Sequence, residues 1–274
     1  MQPVSPDISL VVAVYKDAQS LSLILEALEK QSYKNFEIIV AEDCESDEIK
    51  NCIKNYAHLN LKHTTQKDVG WRKNSSLNNA IRVASSDFLL FIDGDCIPNI
   101  HFVREYNKQK EKNTVLCGRR VELGSRFTKQ IRERKLNILD IQKNYLLNIF
   151  NFREDNTRHF EEGIYLGDLL FNLKHKGKEA SVLGCNFGIN KSDLIEINGF
   201  NEDYVSPSVG EDTDIEYRLR LKGCNFKRIR NRSFVFHLYH EEVYSPADAE
   251  KSMKVFNKVK ENKQVKCKIG LTRE

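Results

Sequence analysis

The chain has 274 residues, 40% of them hydrophobic and 30% charged, and its 43 basic and 39 acidic side chains leave a formal net charge of +4. Such a composition excludes an intrinsically disordered chain, and the length suits one large α/β domain or two small ones. The longest apolar runs, residues 8–15 and 88–92, fall well short of the roughly 18 to 20 residues that span a bilayer. The opening MQPVSPDIS has no basic flank before an apolar stretch, so neither a secretory signal nor a transmembrane helix is expected, and the cytosol is the expected compartment. Seven cysteines, an odd number without C-x-x-C pairing, argue against a disulfide framework or a zinc site and are read as free thiols. The small charge gives no reason to expect nucleic acid as a partner.

Residues 8–14 form a nearly continuous β-branched run of the kind buried on both faces of a parallel sheet. Asp17 can cap a helix to Lys30, with Leu21, Ile24, Leu25 and Leu28 at helical spacing. The spacing then predicts a strand over 36–40, a helix over 47–56, a weaker strand over 59–65, a helix over 74–84 and a strand over 88–92. Alternating strands and helices with short links imply right-handed crossovers and a parallel sheet covered by helices. Beyond it the pattern predicts a strand over 114–121, a helix over 128–150, irregular sequence to 180, a strand over 181–190, a helix from Ser192, an acidic helix near Glu211 and a strand over 226–236.

In such a sheet the ligand crevice lies beyond the carboxyl ends of the strands. Those ends here are polar: Tyr15-Lys16-Asp17, Glu42-Asp43-Cys44-Glu45, and Asp93-Gly94-Asp95-Cys96. Asp, Gly and Ser also make ordinary turns, so one such loop says little, whereas three at one sheet edge say more. Two carboxylates flanking a glycine can turn their oxygens to one side and hold Mg2+ or Mn2+, leaving positions for a diphosphate. A second acidic group, Glu211-Asp212-Thr213-Asp214, opens a helix, where the dipole favours carboxylates and lowers their pKa; one of them can serve as a general base. His237 and His240 end an apolar strand and can complete a metal's coordination.

These motifs resemble a family 2 inverting glycosyltransferase of the GT-A fold. The resemblance lies in SLVVAVYKDAQSLSLILEALEKQSYKNFEIIVAEDCESD, GWRKNSSLNNAI and FLLFIDGDC, and then in GCNFGINKSDLIEINGFNED and GEDTDIEYRLRLKG, which are similar to the carboxyl-terminal part of β-1,4-galactosyltransferases and bacterial chondroitin-type polymerases. It implies one GT-A domain over 1–250, with a nucleotide-sugar half at 8–121, an acceptor-side insertion at 122–180 and a base-bearing half at 181–242, followed by a basic tail at 243–274. It also implies site roles. Ala13, Val14 and Tyr15 match the loop lining the nucleoside pocket, and Glu42 and Asp43 the acidic pair holding uracil or ribose. Arg72, Lys73 and Asn78 match the segment nearing base and diphosphate, and Asn186 the floor of the donor-sugar pocket. Asp93 and Asp95 match the metal motif, Asp212 the base, Glu211 its acceptor-binding neighbour, and either His237 or His240 the late metal ligand.

The implied reaction is single-displacement transfer from a UDP-sugar, with galactose or N-acetylgalactosamine favoured, to a hydroxyl of a glycan or lipid-linked saccharide in bacterial surface polysaccharide synthesis. Trp71 either stacks near the donor or anchors a helix entrance. The acceptor is expected at the irregular region and the loop 200–210. The stretch 128–150, with Lys129, Arg132, Arg134 and Lys135 before the more apolar Leu136 to Phe150, and the tail lysines interleaved with Met253, Phe256 and Val259, read either as peripheral contacts with an anionic membrane or as solvated helix faces. Two other enzyme classes lack their signatures: no glycine-rich basic loop follows the first strand, and no G-x-G-x-x-G follows any. A non-catalytic carbohydrate- or nucleotide-binding module is the remaining alternative.

Overall fold

The computed structural model describes residues 5–207, 210–241 and 245–273. Its first part alternates as expected: β1 (Ser9–Val14), α1 (Ala18–Glu29), β2 (Glu37–Glu42), α2 (Asp47–Lys54), β3 (Leu61–Thr64), α3 (Lys73–Val83) and β4 (Phe88–Asp93). There follow β5 (Cys96–Pro98), α4 (Phe102–Gln109), β6 (Thr114–Cys117), β7 (Arg119–Glu122), α5 (Ser125–Arg132), α6 (Ile138–Lys143), α7 (Ile149–Glu154) and α8 (Asp168–His175). The chain continues through β8 (Asn186–Asn190), α9 (Lys191–Glu196), α10 (Glu211–Lys222), β9 (Asn225–Arg228), β10 (Phe234–His237) and α11 (Pro246–Glu261).

Seven strands form the main sheet in the order β3-β2-β1-β4-β8-β6-β9, and β5-β10-β7 form a small second sheet. The first four are mutually parallel, while β8 runs antiparallel to both β4 and β6. Period-two alternation divides the strand side chains between two cores. Leu10, Val12, Leu90 and Ile92 face α1 and the small sheet, while Val11, Leu89 and Phe91 face α3, α9 and α10. Burial of both faces explains why these strands read as continuous apolar runs. Asp17 caps α1 as expected, accepting from the Ser20 N–H at 2.9 Å.

Three predicted strands are shorter or broken. Residues 114–121 split at Gly118 into β6 in the large sheet and β7 in the small one, and 226–236 split into β9 and β10 in the same two sheets. The second break passes through Asn231, left-handed at φ 62°, whose amide donates to the Glu161 carbonyl at 2.7 Å. Residues 181–185 are loop because their N–H groups bond to α10 instead of a strand: Val182 to Glu216 at 2.7 Å and Gly184 to Asp212 at 2.7 Å. The single helix expected over 128–150 is α5, α6, a 3-10 turn at Tyr145–Asn148 and α7. It breaks where Arg134 turns left-handed at φ 58° and where Asn137 caps a new helix by accepting from the Leu139 N–H at 2.9 Å.

The basic tail is also more structured than its composition suggests. Helix α11 buries Ala249, Ser252, Phe256 and Val259, with the Phe256 ring edge-on to Tyr217 of α10. Ala249, Phe256 and Val259 therefore face the protein while Met253 is exposed, and lysines such as Lys251 and Lys254 pair with Asp248 and Glu250 along the helix. No helix among the described residues is long and apolar enough to cross a membrane.

Candidate active site

The ends of β1, β2 and β4 open onto a cavity of about 560 Å³ lined by Ala13, Val14, Tyr15, Asp43, Trp71, Lys73, Asp93, Asp95 and His240. Gly94 makes the crossing possible, since a Cβ there would lie 2.6 Å from the Ala13 carbonyl oxygen. Only glycine lets the two carboxylates pass so close over the end of β1.

Asp95 is fixed from below by the small sheet. Its carbonyl accepts from the Leu238 N–H at 2.9 Å, and the β5–β10 register sets His237 opposite Cys96. His237 Nε2 lies 3.4 Å and His240 Nε2 3.3 Å from Asp95 Oδ2. Both histidines predicted as alternatives thus converge on one carboxylate. Burial alone would raise the Asp95 pKa, but the hydrogen bonds from His237 and His240 hold it well below the usual carboxylate range. The reciprocal bond pushes His240 up to about 9 despite burial. Asp95, His237 and His240 are thus the residues that would receive a divalent cation here. One carboxylate oxygen and two imidazole nitrogens fit such an ion, and suit the borderline Mn2+ better than the all-oxygen preference of Mg2+. The side chains whose potential ligand atoms all lie within 4.8 Å of one another are Asp95, Cys96 and His237, a group that does not include His240.

Asp93 faces the other way, toward Lys73 Nζ at 2.6 Å. Burial works against the charge of Lys73, yet the carboxylates of Asp93, Asp212 and Glu211 outweigh it and keep the ammonium protonated. Lys73 thus joins the Asp-Gly-Asp loop to the start of α10. There, Asp212 Oδ2 accepts from the Gly184 N–H at 2.7 Å, an approach a Cβ at Gly184 would block by coming within 2.1 Å of Asp212 Oδ1. The low pKa expected from the helix dipole is not found. Burial raises Asp212, with Lys73 opposing and Asp93 reinforcing, and burial plus the neighbouring Asp212 pushes Glu211 up to about 7. Desolvation over a whole carboxylate exceeds the dipole's fraction of a charge. The result is a more basic Asp212, provided it is ionised.

Four other expected donor contacts are built differently. Glu42 is fully buried and bonded to His63 Nε2 at 2.7 Å and the Ser46 N–H at 2.7 Å. Asn78 is buried, with its amide bonded to both backbone groups of Phe200 and to Glu202. Asn186 is buried too: its amide accepts from the Tyr106 hydroxyl at 2.6 Å and donates to the carbonyls of Arg119 and Ser233. None of these three presents a polar group to the cavity. Arg72 contributes through its backbone N–H, which donates to Asp43 Oδ2 at 2.7 Å while Gln66 holds Oδ1 at 2.6 Å. Asp43 is the member of the acidic pair that faces the cavity. Asp17 at the end of the first strand and Pro207 of the loop 200–210 also line it, and so do Ser76 and Arg132, which were not expected there. Arg132 Nη2 bonds Asp17 Oδ2 at 2.8 Å, across 115 residues of chain, a pairing no local pattern signals. Arg134 likewise braces α1 through Glu26 and the Ser22 hydroxyl, so these two are cross-links within the fold. In the loop 200–210, Tyr204 is buried and Val205 exposed, while Ser208 and Val209 lie outside the described residues.

Residues 9–175 match the family model for glycosyl transferase family 2. The chain belongs to that family. Residues 170–241 of this family 2 chain also match a model described as the N-terminal domain of galactosyltransferase. A chondroitin synthase of Escherichia coli is 24% identical over 242 residues, covering 86% of this chain and 34% of that relative. The chain spans only about a quarter to a third of its first curated relatives' length. Among solved structures, S. aureus TarS superposes with a TM-score of 0.61 at 16% identity, over 92% of this chain and 39% of that one. GalNAc-T7 with UDP, GalNAc and Mn2+ gives 0.62 at 12% identity, over 93% and 48%. These neighbours establish the GT-A fold.

Proposed function

We propose that this family 2 glycosyltransferase is a metal-dependent, inverting enzyme that transfers a sugar from a UDP-sugar to a hydroxyl of a glycan or lipid-linked saccharide, in bacterial surface polysaccharide synthesis. The supporting observation is the cavity whose one wall is Asp95 with His240, backed by His237, and whose other is Lys73 leading to Asp212. Asp43, anchored by Gln66 and the Arg72 N–H, is placed to bind uracil or ribose, with Tyr15 and Trp71 beside it. Asp95, His237 and His240 would hold a divalent cation, which when bound supplies Lewis-acid stabilisation to the donor diphosphate.

Asp212 accepts the proton of the acceptor hydroxyl. The oxygen attacks the anomeric carbon as the bond to the diphosphate breaks on the opposite face, so the configuration inverts. Lys73 offers a fixed positive charge to the departing diphosphate. Glu211 binds an acceptor hydroxyl beside the base. Galactose and N-acetylgalactosamine are the favoured sugars, supported by the galactosyltransferase match and the GalNAc and UDP named for the structural neighbour.

The test is a screen of nucleotide sugars for hydrolysis in Mn2+, with Asp212→Asn in parallel. Release of UDP from at least one UDP-sugar, abolished by chelation, supports the reading. No release from any donor by folded protein points instead to a binding module.

A further inference from the structure

A path of hydrogen bonds runs from the outer face of α3 to Asp43 at the wall of the cavity. It starts at Arg82 in the last turn of α3, whose Nη2 donates to the carbonyls of Gly270 at 3.0 Å and Leu271 at 2.9 Å. Arg82 Nη1 donates to Asn79 Oδ1 at 2.8 Å, Asn79 Nδ2 donates to Gln66 Oε1 at 3.2 Å, and Gln66 Nε2 donates to Asp43 Oδ1 at 2.6 Å. The same Gln66 nitrogen also donates to the Arg72 carbonyl at 3.0 Å. That second bond closes the loop that brings Gly70 and Trp71 to the cavity.

The direction of the path is forced by its ends. A guanidinium only donates and a carboxylate only accepts, so each amide between them can point only one way. Reversing either amide would set oxygen against oxygen or nitrogen against nitrogen. The outer end is fixed too: Asn198, in the turn after α9, donates to the carbonyls of Cys267 and Thr272 at 2.8 and 3.0 Å, and Leu271 packs against the core shared by α3, α9 and α10. At the inner end, burial pushes the Asp43 carboxyl up, while the Arg72 N–H and the Gln66 amide oppose it. Without the amide, Asp43 is less readily ionised and free to turn. Gln66, Asn79 and Arg82 do not themselves line the cavity, so they act on a ligand through Asp43 and the loop.

We propose that Gln66 and Asn79 are positioning residues for the nucleotide: oriented by Arg82, they hold Asp43 as an acceptor for a ring N–H or a ribose hydroxyl of the nucleoside. This rests on the reading that Asp43 meets the nucleoside, and assigns the residues behind it that the contact requires.

The test is titration calorimetry of UDP in Mn2+ on the full chain, comparing the wild type with Asp43→Ala, Asn79→Asp and Gln66→Glu. Asn79→Asp still accepts from Arg82 but cannot donate, so Gln66 turns its nitrogen away from Asp43. UDP affinity should fall about tenfold, with thermal melting within about 2 °C of the wild type because the new carboxylate keeps its arginine partner. Gln66→Glu adds a pH readout. Protonated, the new side chain donates to Asp43 and accepts from Asn79 as the amide does; ionised, it sets a second carboxylate against Asp43. The charges facing this position are Asp43 and Asp68, which favour the proton, and Arg72, which opposes it. UDP affinity of Gln66→Glu, relative to the wild type at the same pH, should therefore fall at least roughly fivefold between about pH 5.5 and about pH 8. Wild-type affinity in Asn79→Asp, or a Gln66→Glu deficit equal at every pH, would overturn the proposal while Asp43→Ala still weakens binding. UDP affinity unchanged in Asp43→Ala would overturn the reading of Asp43, and the proposal with it.

Discussion

Lys73 lies where two acidic motifs far apart in sequence, Asp93-Gly94-Asp95 and Glu211-Asp212, come together. Its ion pair with Asp93 and the charges of Asp212 and Glu211 hold three carboxylates in one partly desolvated region. Asp212→Asn removes the proposed proton acceptor and none of the residues proposed to hold the nucleotide. Turnover should fall on the order of 100-fold or more while UDP affinity by calorimetry stays within about twofold; normal turnover in that variant would contradict the base assignment. Glu211 makes a pH prediction. Its folded pKa, raised from the ordinary 4.5 to about 7, means the native state holds this proton more tightly than the unfolded chain. The stability from that proton is fully present below about 4.5 and is lost as pH rises through about 7. Glu211→Gln should therefore gain on the wild type across that window in metal-free urea melts, and the gap should level off above it. A gap that narrows with rising pH would contradict the assignment. The motif residues were legible in the sequence, but their pKa values were not: the position of an acid on a helix can be read from sequence, whereas the desolvation that dominates here depends on α3 and the Asp93 loop meeting it in space.

At the scale of elements, glycine and buried arginine do the positioning. A methyl group at Gly94 would meet backbone, not a movable side chain. Gly94→Ala should lower stability by about 1–3 kcal/mol and weaken Mn2+-dependent UDP binding by displacing Asp95, both measurable on one preparation. Helix α10 is tied down by Arg218, fully buried, which bonds Asp214 at 2.7 Å and the carbonyls of Ile197 and Gly199 at 2.8 and 2.9 Å. Asp214, third acid of the motif, is thus a structural partner of Arg218. Arg218→Ala leaves that carboxylate buried and unpaired, and should cost about 3–5 kcal/mol in denaturant melts. The elements that hydrophobic period could find, β1 through β4 with their helices, are those buried on a regular face. It missed the breaks at Gly118 and Asn231 because a strand that leaves one sheet for another keeps its apolar period on both sides of the break. The helix over 128–150 failed for a related reason, since its apolar positions belong to several short pieces.

For the whole molecule, the two sheets divide the work. The large sheet delivers Tyr15, Asp43 and Asp93 to one edge, and the small sheet brings His237 and, just beyond it, His240 up to Asp95. The α/β class and the GT-A resemblance were legible from local runs and motif order. The small sheet was not, because β5 is three residues long and its partners come from distant parts of the chain. The buried amides of Asn78 and Asn186, expected to touch the donor, instead lock α3 to Phe200 and the main sheet to the small one, since a polar residue near a strand end serves either purpose. The central claim is that both sheets meet around a cation that holds the diphosphate. Titration calorimetry of UDP against the wild type and Asp95→Ala, with Mn2+ and with chelator, tests it most directly. The account predicts tight binding only for the wild type with Mn2+; equal UDP affinity in all four conditions would contradict it.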